Sequence, residues 1–187
     1  MKKFIKKIIY KIRGVLALEQ LKERGLKYGS NFQMSCECII DPSFCHLIEI
    51  GDNVTLAPRV HILAHDASTK NFLNYTKIAT VIIENNVFVG AGSIILPGVH
   101  IGKNCIIGAG SVISKNIPEN SVVVGNPCRI ISKTEQYLTK EKENMKKYHI
   151  FDETYTSWSK DGKKKSVSEE KKVEMKKKLK TTRGFVV

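Results

Sequence analysis

Residues 83–113 decide the fold, and they read IENNVFVGAGSIILPGVHIGKNCIIGAGSVI. An aliphatic residue recurs at every sixth position, from Ile83 to Ile113, and a small or β-branched residue follows each one four positions later. A period of six matches neither a helical turn nor a heptad, but it allows each repeat to be a short strand and a turn. Parallel β-helices wind such repeats around one core, so this stretch predicts a β-helix with its aliphatic residues inward. A β-sandwich of alternating strands is the alternative.

The same phase continues upstream of this stretch. Ile50, Leu56 and Ile62 are six residues apart, and Phe44 and Cys38 extend the series backward. The separation between Ile62 and Ile83, where the series resumes, is 21 residues, which is not a multiple of six. We therefore expect a loop over residues 64–80 that leaves the coil and rejoins it. A long loop in a compact solenoid is usually functional, although a plain surface excursion is the alternative.

The charges divide the chain into a neutral body and two basic ends. The net charge of +13 splits into +7 for residues 1–27, −1 for residues 28–157 and +7 for residues 158–187. A neutral body argues against nucleic-acid binding. The five cysteines do not have the spacing of a disulfide framework, which argues against a secreted disulfide-bonded fold. The sequence contains no Cys-x-x-Cys pair of the kind that binds zinc. We therefore expect a cytoplasmic protein without a metal site.

The two ends carry different patterns. Residues 1–27 have apolar residues at helical spacing between lysines, which predicts a basic amphipathic helix. This helix either caps the open end of the β-helix, which we favour, or lies on the inner membrane leaflet as a peripheral contact. Its interrupted apolar run fits neither a signal peptide nor a membrane span. Residues 132–157 predict a C-terminal cap helix, and residues 158–187 a charged tail that is disordered or weakly helical.

Five motifs resemble those of the hexapeptide-repeat O-acetyltransferases of the maltose, galactoside and capsular-polysaccharide type. They are IGDNV at 50–54, ILAHD at 62–66, ILPGV at 95–99, IGAGSV at 107–112 and VGNPCR at 124–129. The resemblance implies a mostly β protein, a single-stranded left-handed parallel β-helix over residues 28–131. It also implies a homotrimer with acetyl-CoA bound between neighbouring subunits, and acetyl transfer to a saccharide hydroxyl, such as that of a capsule or cell-wall precursor.

His65 is the candidate catalytic base. It lies where the predicted loop departs from the coil, the position at which members of the family place their base. Acetyl transfer from a thioester to a hydroxyl needs the attacking hydroxyl deprotonated, and a neutral imidazole suits that task. His61 and His100 follow inward positions by five residues and should face solvent, and His46 remains a further alternative.

The other site residues come from the same resemblance. Cys36, Asp41, Asp66 and Tyr75 lie where acceptor-binding residues are expected, although Asp41 and Asp66 suit plain turns equally well. The resemblance implies coenzyme A contacts at Ala91 and Ala109, which line the pantetheine arm one coil apart, at Ser114 and Lys115, and at Arg129 with Lys133 near the phosphates. Serine, an amino-sugar nitrogen or an antibiotic is an alternative acceptor, and a non-catalytic β-helix binding protein is the alternative of another class.

Overall fold

The computed structural model describes residues 16–157 and 166–187, which form two compact units. The first ends at Glu135, and the second runs from Gln136 to Val187. In the first unit short strands alternate with turns, and each strand lies beside a strand of the preceding coil. The strands form three sheets, which give the coil its three faces.

The three sheets are built almost entirely of parallel pairs. The first sheet is ordered β1 (Lys27–Tyr28), β4 (Ile48–Ile50), β9 (Val81–Ile83) and β12 (His100–Ile101). The second is ordered β16 (Arg129–Lys133), β15 (Ser121–Val124), β13 (Ile106–Ile107), β10 (Phe88–Val89), β5 (Thr55–Leu56) and β2 (Gln33–Met34). The third is ordered β14 (Val112–Ile113), β11 (Ile94–Ile95), β6 (His61–Ile62) and β3 (Ile39–Ile40). Within these three sheets, only β16 runs antiparallel to its neighbour, β15.

The core consists of three columns of aliphatic side chains, one for each sheet. The strand register places each inward residue directly on its equivalent in the next coil, so that Leu56, Val89 and Ile107 stack in the second sheet. The other two columns contain Ile50, Ile83 and Ile101, and Ile62, Ile95 and Ile113. All nine of these residues are buried. The six-residue period is therefore the spacing of one sheet to the next around the coil.

The first coil breaks the period, and here the backward extension of the series is wrong. Met34 and Ile40 pair with Leu56 and Ile62, so the inward series runs through these residues and not through Phe44. Cys38 is buried, but at the small position four residues after Met34. The chain then uses ten positions to reach Ile50, where six would complete the repeat. We call residues 41–47 the corner insert; it contains a 3-10 helix, Cys45–Leu47.

A short helix, α1 (Leu18–Glu23), precedes the first coil. Its Leu21 is buried in the β-helix core, and Leu16 and Leu18 pack against that core. The predicted helix begins much earlier, and its apolar positions from Ile5 to Ile12 lie outside the described residues. Within the described ranges, no helix is long and apolar enough to cross a membrane.

Three corners connect the sheets in every coil. The asparagine corner joins the first sheet to the second and carries Asn31, Asn53, Asn86, Asn104 and Asn120, all with positive φ. The glycine corner joins the second sheet to the third through residues 35–38, 57–60, 90–93 and 108–111; Gly92 and Gly110 have φ of +68° there. The loop corner joins the third sheet to the first through residues 41–47, 63–80, 96–99 and 114–116.

The second unit contains a small sheet and two helices. Helix α3 (Thr134–Lys147) leads into it and is followed by β17 (His149–Phe151) and a 3-10 helix, Glu153–Tyr155. A helix thus lies in the predicted cap segment of residues 132–157, but it ends at Lys147, before the strand and the 3-10 helix. Helix α4 (Glu169–Lys178) and strand β18 (Gly184–Val186) follow, and β18 pairs in parallel with β17. Of the two alternatives expected for the tail, disorder or a weak helix, residues 166–187 show the helix, followed by a strand.

Candidate active site

The loop corner carries the longest excursion from the coil. After Ala64 the chain forms β7 (His65–Asp66), a 3-10 helix (Ala67–Thr69), helix α2 (Lys70–Leu73) and β8 (Lys77–Ile78). Strands β7 and β8 pair antiparallel, with His65 opposite Ile78, before the chain rejoins the first sheet. Because this hairpin projects from the end of a buried strand, His65 is held at its base, between the core and the loop.

A buried carboxylate contacts the His65 ring. Asp41 follows the inward Ile40 of the coil below, and its side chain is fully buried. Its Oδ2 accepts hydrogen bonds from His65 Nδ1 and from the Ala64 N–H, the latter at 3.0 Å. Its Oδ1 accepts the N–H groups of Ser43 at 3.0 Å and Phe44 at 3.1 Å. Asp41 therefore ties the corner insert to the first residue of the hairpin.

The surroundings of Asp41 keep it ionised. Burial raises the pKa of this carboxyl, but the hydrogen bonds from His65, Ala64, Phe44 and Ser43 together outweigh burial and hold the pKa below its usual value. An ionised carboxylate can only accept hydrogen bonds, so the imidazole donates from Nδ1. The lone pair of the neutral ring is then on Nε2. With a third of its side chain exposed, His65 can present that nitrogen to a substrate hydroxyl.

An aromatic ring borders the same imidazole. The ring centroids of Phe44 and His65 are 5.3 Å apart, and the planes are tilted by 47°. Phe44 is half-buried and packs against the β-helix core. The corner insert thus supplies both a hydrogen-bond acceptor and an apolar neighbour to one histidine.

Comparison with known proteins shows the family of the chain. Protein CapG of Staphylococcus aureus is 36% identical over 146 residues, which are 75% of this chain and 85% of CapG. The sequence pattern of the bacterial transferase hexapeptide (six repeats) family matches residues 80–115. The chain belongs to the hexapeptide-repeat acetyltransferase family. The predicted family and its fold, a left-handed parallel β-helix, are confirmed, and so is the predicted class of enzyme, an acyltransferase.

Two further relatives carry more informative names. The galactoside O-acetyltransferase of Lactococcus lactis is 39% identical over 126 residues, 67% of this chain and 59% of that enzyme. A solved structure of a maltose O-acetyltransferase from Clostridium difficile 630 is 46% identical, with a TM-score of 0.54, over 58% of this chain and 59% of that one. The chain therefore spans most of CapG but under two thirds of these two family members.

The predicted acceptor residues are not gathered at one place in a single subunit. Asp41 has no exposed surface, so it supports His65 and cannot itself contact an acceptor. Asp66 accepts the Ser68 N–H and lies 2.5 Å from Lys77 Nζ, and these hydrogen bonds lower its pKa. Tyr75 is exposed on the loop. Cys36 is exposed at the glycine corner, on a different edge from His65.

The predicted coenzyme residues fall on three edges. Ala91 and Ala109 are exposed one above the other at the glycine corner, where the Gly110 N–H donates to the Ala91 carbonyl oxygen at 2.8 Å. Arg129 pairs with Val124, close to that edge. Ser114 and Lys115 are exposed at the loop corner. Lys133 pairs with Ser121 at the other end of β16, beside the asparagine corner, so it is not brought to the edge of Ala91 and Ala109.

The alternative bases lie in less suitable places. His100 is exposed on the first sheet, and its Nε2 is 2.8 Å from Glu84 Oε1. His46 is exposed within the corner insert, and His61 is half-buried on the third sheet. Surface cavities of about 400 Å³ and 340 Å³ lie along the first sheet; His100 lines the smaller one, but neither His65 nor any of the predicted acceptor and coenzyme residues lines either. Among residues 16–157 and 166–187, no group of three His, Cys, Asp or Glu side chains could hold a metal ion.

Sequence reasoning missed the pairing of Asp41 with His65. A partial signal was present, because Tyr28, Met34 and Ile40 are six residues apart, but this series is out of phase with Leu56 and Ile62, the residues on which Met34 and Ile40 lie. With that register, Asp41 follows directly after an inward residue at the corner where the loop departs one coil above. Extending the series through Phe44 counted the corner insert as a regular repeat, so the contact between Asp41 and His65 was not predicted.

Proposed function

We propose that the chain is an acetyl-CoA-dependent O-acetyltransferase that transfers an acetyl group to a hydroxyl of a saccharide. The observation that carries the proposal is the buried Asp41 carboxylate bound to the partly exposed His65 ring. The names of the galactoside and maltose O-acetyltransferases support the choice of a sugar hydroxyl. A precursor of capsule or cell-wall polysaccharide is the acceptor we favour.

In the proposed reaction, His65 acts as general base. Its Nε2 takes the proton of the acceptor hydroxyl as the oxygen attacks the thioester carbonyl carbon. The carbon–sulfur bond then breaks, and the proton passes to the departing thiolate, so the products are an acetyl ester and free coenzyme A. Asp41 stabilises the imidazolium that forms between these steps and keeps the ring in the reactive tautomer. A backbone amide near the thioester stabilises the oxyanion.

The co-substrate fits the glycine corner. Ala91 and Ala109 leave the backbone of two neighbouring coils accessible, and this suits a narrow pantetheine arm. Arg129 lies near that edge and Lys115 is exposed, so both offer positive charge to phosphates. His65 lies at the loop corner, across the coil from Ala91. A complete site therefore requires the glycine corner of one subunit to face the loop corner of another.

That requirement leads us to propose a homotrimer. Phe72, Leu73, Tyr75 and Ile78 of the loop are 54–85% exposed, so the loop offers an apolar surface to a neighbouring subunit. All five cysteines are free, which supports a cytoplasmic location. Peripheral membrane contact through residues 1–27 remains an additional proposal. Light scattering should give three times the chain mass of 21.0 kDa.

The decisive experiment is an acceptor screen with acetyl-CoA, read by release of free thiol. The panel should contain galactosides, glucosides and oligosaccharides beside serine, an amino sugar and an aminoglycoside antibiotic. Saccharide-dependent release, with the ester on oxygen, supports the proposal. Release with serine or an amine alone would replace the acceptor class. No release with any member of the panel would favour a binding protein without acyl transfer.

A further inference from the structure

We infer that Phe44 is a positioning residue, which holds the His65 ring in the orientation that the proposed acetyl transfer needs. Two observations converge on this residue. Its ring lies beside the imidazole, with centroids 5.3 Å apart, and its backbone N–H donates to Asp41 at 3.1 Å. Asp41 in turn accepts from His65 Nδ1. Phe44 therefore limits the movement of the imidazole directly, and also through the carboxylate that orients it.

The hydrogen bond at Nδ1 alone would leave the imidazole free to rock about its Cβ–Cγ bond over the range of angles in which that hydrogen bond survives. The ring of His65 is only partly enclosed, because a third of its side chain is exposed. A tilted aromatic ring beside it, with the centroids 5.3 Å apart, removes much of that remaining freedom by packing. Since a general base acts within hydrogen-bond reach of the proton it removes, a small rotation of Nε2 reduces the rate steeply.

The position of Phe44 is itself fixed from beneath. The Cys45 thiol is fully buried and lies 3.5 Å from the Arg24 carbonyl oxygen and 3.6 Å from that of Leu21. The Arg24 guanidinium donates to the Pro42 carbonyl oxygen at 3.1 Å. The corner insert is thus held on the residues of α1 and just after it. The four residues added to the first coil therefore form a support for the catalytic base and not a slack turn.

Phe44→Ala tests this inference, with Phe32→Ala as the matched control. Phe32 is also half-buried and packed on the core, but its ring contacts Tyr28 at 5.4 Å and lies at the asparagine corner. In the full-length protein, Phe44→Ala should lower kcat about tenfold and leave the KM values for acetyl-CoA and for acceptor within about twofold. Phe44→Leu should recover much of the loss, because packing needs volume beside the imidazole. Phe32→Ala should leave kcat unchanged.

A second measurement separates this inference from the proposed function, on which its kinetic test rests. In protein labelled with ¹⁵N-histidine, the His65 ring should show the Nδ1–H tautomer, with its signals identified by their loss in His65→Asn. Phe44→Ala should introduce the other tautomer or broaden the signals by exchange, and Phe32→Ala should not. This measurement needs no acetyl transfer, so it remains valid if the acceptor proposal fails.

Three results would overturn the inference. One is an unchanged His65 spectrum in Phe44→Ala. Another is a normal kcat in the same variant. The third is a raised KM for acceptor with normal kcat, which would make Phe44 part of the acceptor site. If Phe44→Ala loses its fold, Phe44→Val carries the test, because it also removes volume beside the imidazole, and its His65 ring signals must then differ from those of the wild type.

Discussion

The asparagine corner and the loop corner both turn the chain between sheets, yet they use opposite devices. At the asparagine corner each coil repeats one residue in one conformation. The side-chain amides form a continuous ladder in which Asn86 accepts from Asn53 and donates to Asn104, both at 3.1 Å. At the loop corner two coils carry insertions, and Asp41 of one accepts hydrogen bonds from the His65 ring and the Ala64 N–H of the other. Repetition therefore builds a hydrogen-bonded ladder at one edge, and interruption of the repeat builds the proposed catalytic pair at another.

The largest expected effect on turnover comes from replacing His65, a change that leaves the repeat intact. His65→Ala should lower turnover by roughly 10²-fold or more, the usual contribution of a general base. Trimer mass and acetyl-CoA binding should persist, because the side chain is not part of the core. His61→Ala and His100→Ala should remain near wild type in the thiol-release assay. Near-normal turnover in a folded His65→Ala protein would move the assignment to His46.

Asp41→Asn should have the next largest effect on turnover. The amide can donate where the carboxylate accepts, so the imidazole would adopt the tautomer that has no lone pair on Nε2. We expect turnover to fall roughly 10- to 100-fold, with little change in KM for acetyl-CoA. Asp66→Asn is the matched control, because Asp66 directly follows His65 in the chain but its carboxylate contacts Ser68 and Lys77. Equal losses in both variants would contradict a specific role for Asp41.

Breaking the ladder should cost stability and spare activity. Asn86→Ala removes two side-chain hydrogen bonds and places a Cβ-bearing residue without a polar side chain at a φ of +58°. We expect the free energy of unfolding to fall by about 1–2 kcal/mol, with kcat unchanged. Asn86→Gly accepts the same backbone conformation without Cβ strain, so its remaining loss is the ladder together with the added backbone entropy of glycine. A change in kcat without a change in stability would show that the two corners are not separate in function.

Replacing a lysine near each corner should have a smaller effect, on the KM for acetyl-CoA. Lys115 is exposed at the loop corner, whereas Lys103 lies beside the asparagine corner and pairs with Glu119 at 3.2 Å. If Lys115 contacts a phosphate, Lys115→Ala should raise the KM for acetyl-CoA by roughly 3- to 10-fold, and Lys103→Ala should not. Arg129→Ala should resemble Lys115→Ala. Identical responses to coenzyme A and dephospho-coenzyme A in every variant would exclude contact with the 3′-phosphate.

The smallest expected effect is on the stability of the protein at acidic pH. The folded pKa of Asp41 lies below its ordinary value, so ionised Asp41 contributes stability above the unfolded pKa. This contribution is lost as the pH falls through the folded value. The difference in unfolding free energy between wild type and Asp41→Asn should therefore be steady near neutral pH and shrink below a pH of about 4. Denaturant unfolding at a series of pH values measures it, and a difference that grew on acidification would reverse the sign.

The regular part of the molecule was predictable and the irregular part was not. Periodicity reveals residues that face inward, so Ile50 through Ile113 could be assigned to a β-helix from spacing alone. His65 could be selected because a loop leaves the coil there. The partnership with Asp41 depends on the register between two coils, and the period fails across the corner insert. Spacing also could not place two of the predicted site residues. Cys36 lies on the glycine corner because of the register of the first coil, which is misassigned when Phe44 is counted as a repeat residue. Lys133 lies beside the asparagine corner because β16 reverses direction after the last repeat.

The reversal of direction at β16 bears on how the molecule avoids polymerisation. A stack of parallel coils ends in unpaired backbone groups, which could template the coil of another molecule and so begin a fibre. Strand β16 covers the last strand of the second sheet in the antiparallel sense, and it carries Arg129 and Lys133 at its two ends. A further parallel coil cannot continue that sheet, and the added charge discourages edge-to-edge association. The number of coils is therefore set within the chain, and growth by addition of copies is blocked at this end of the second sheet.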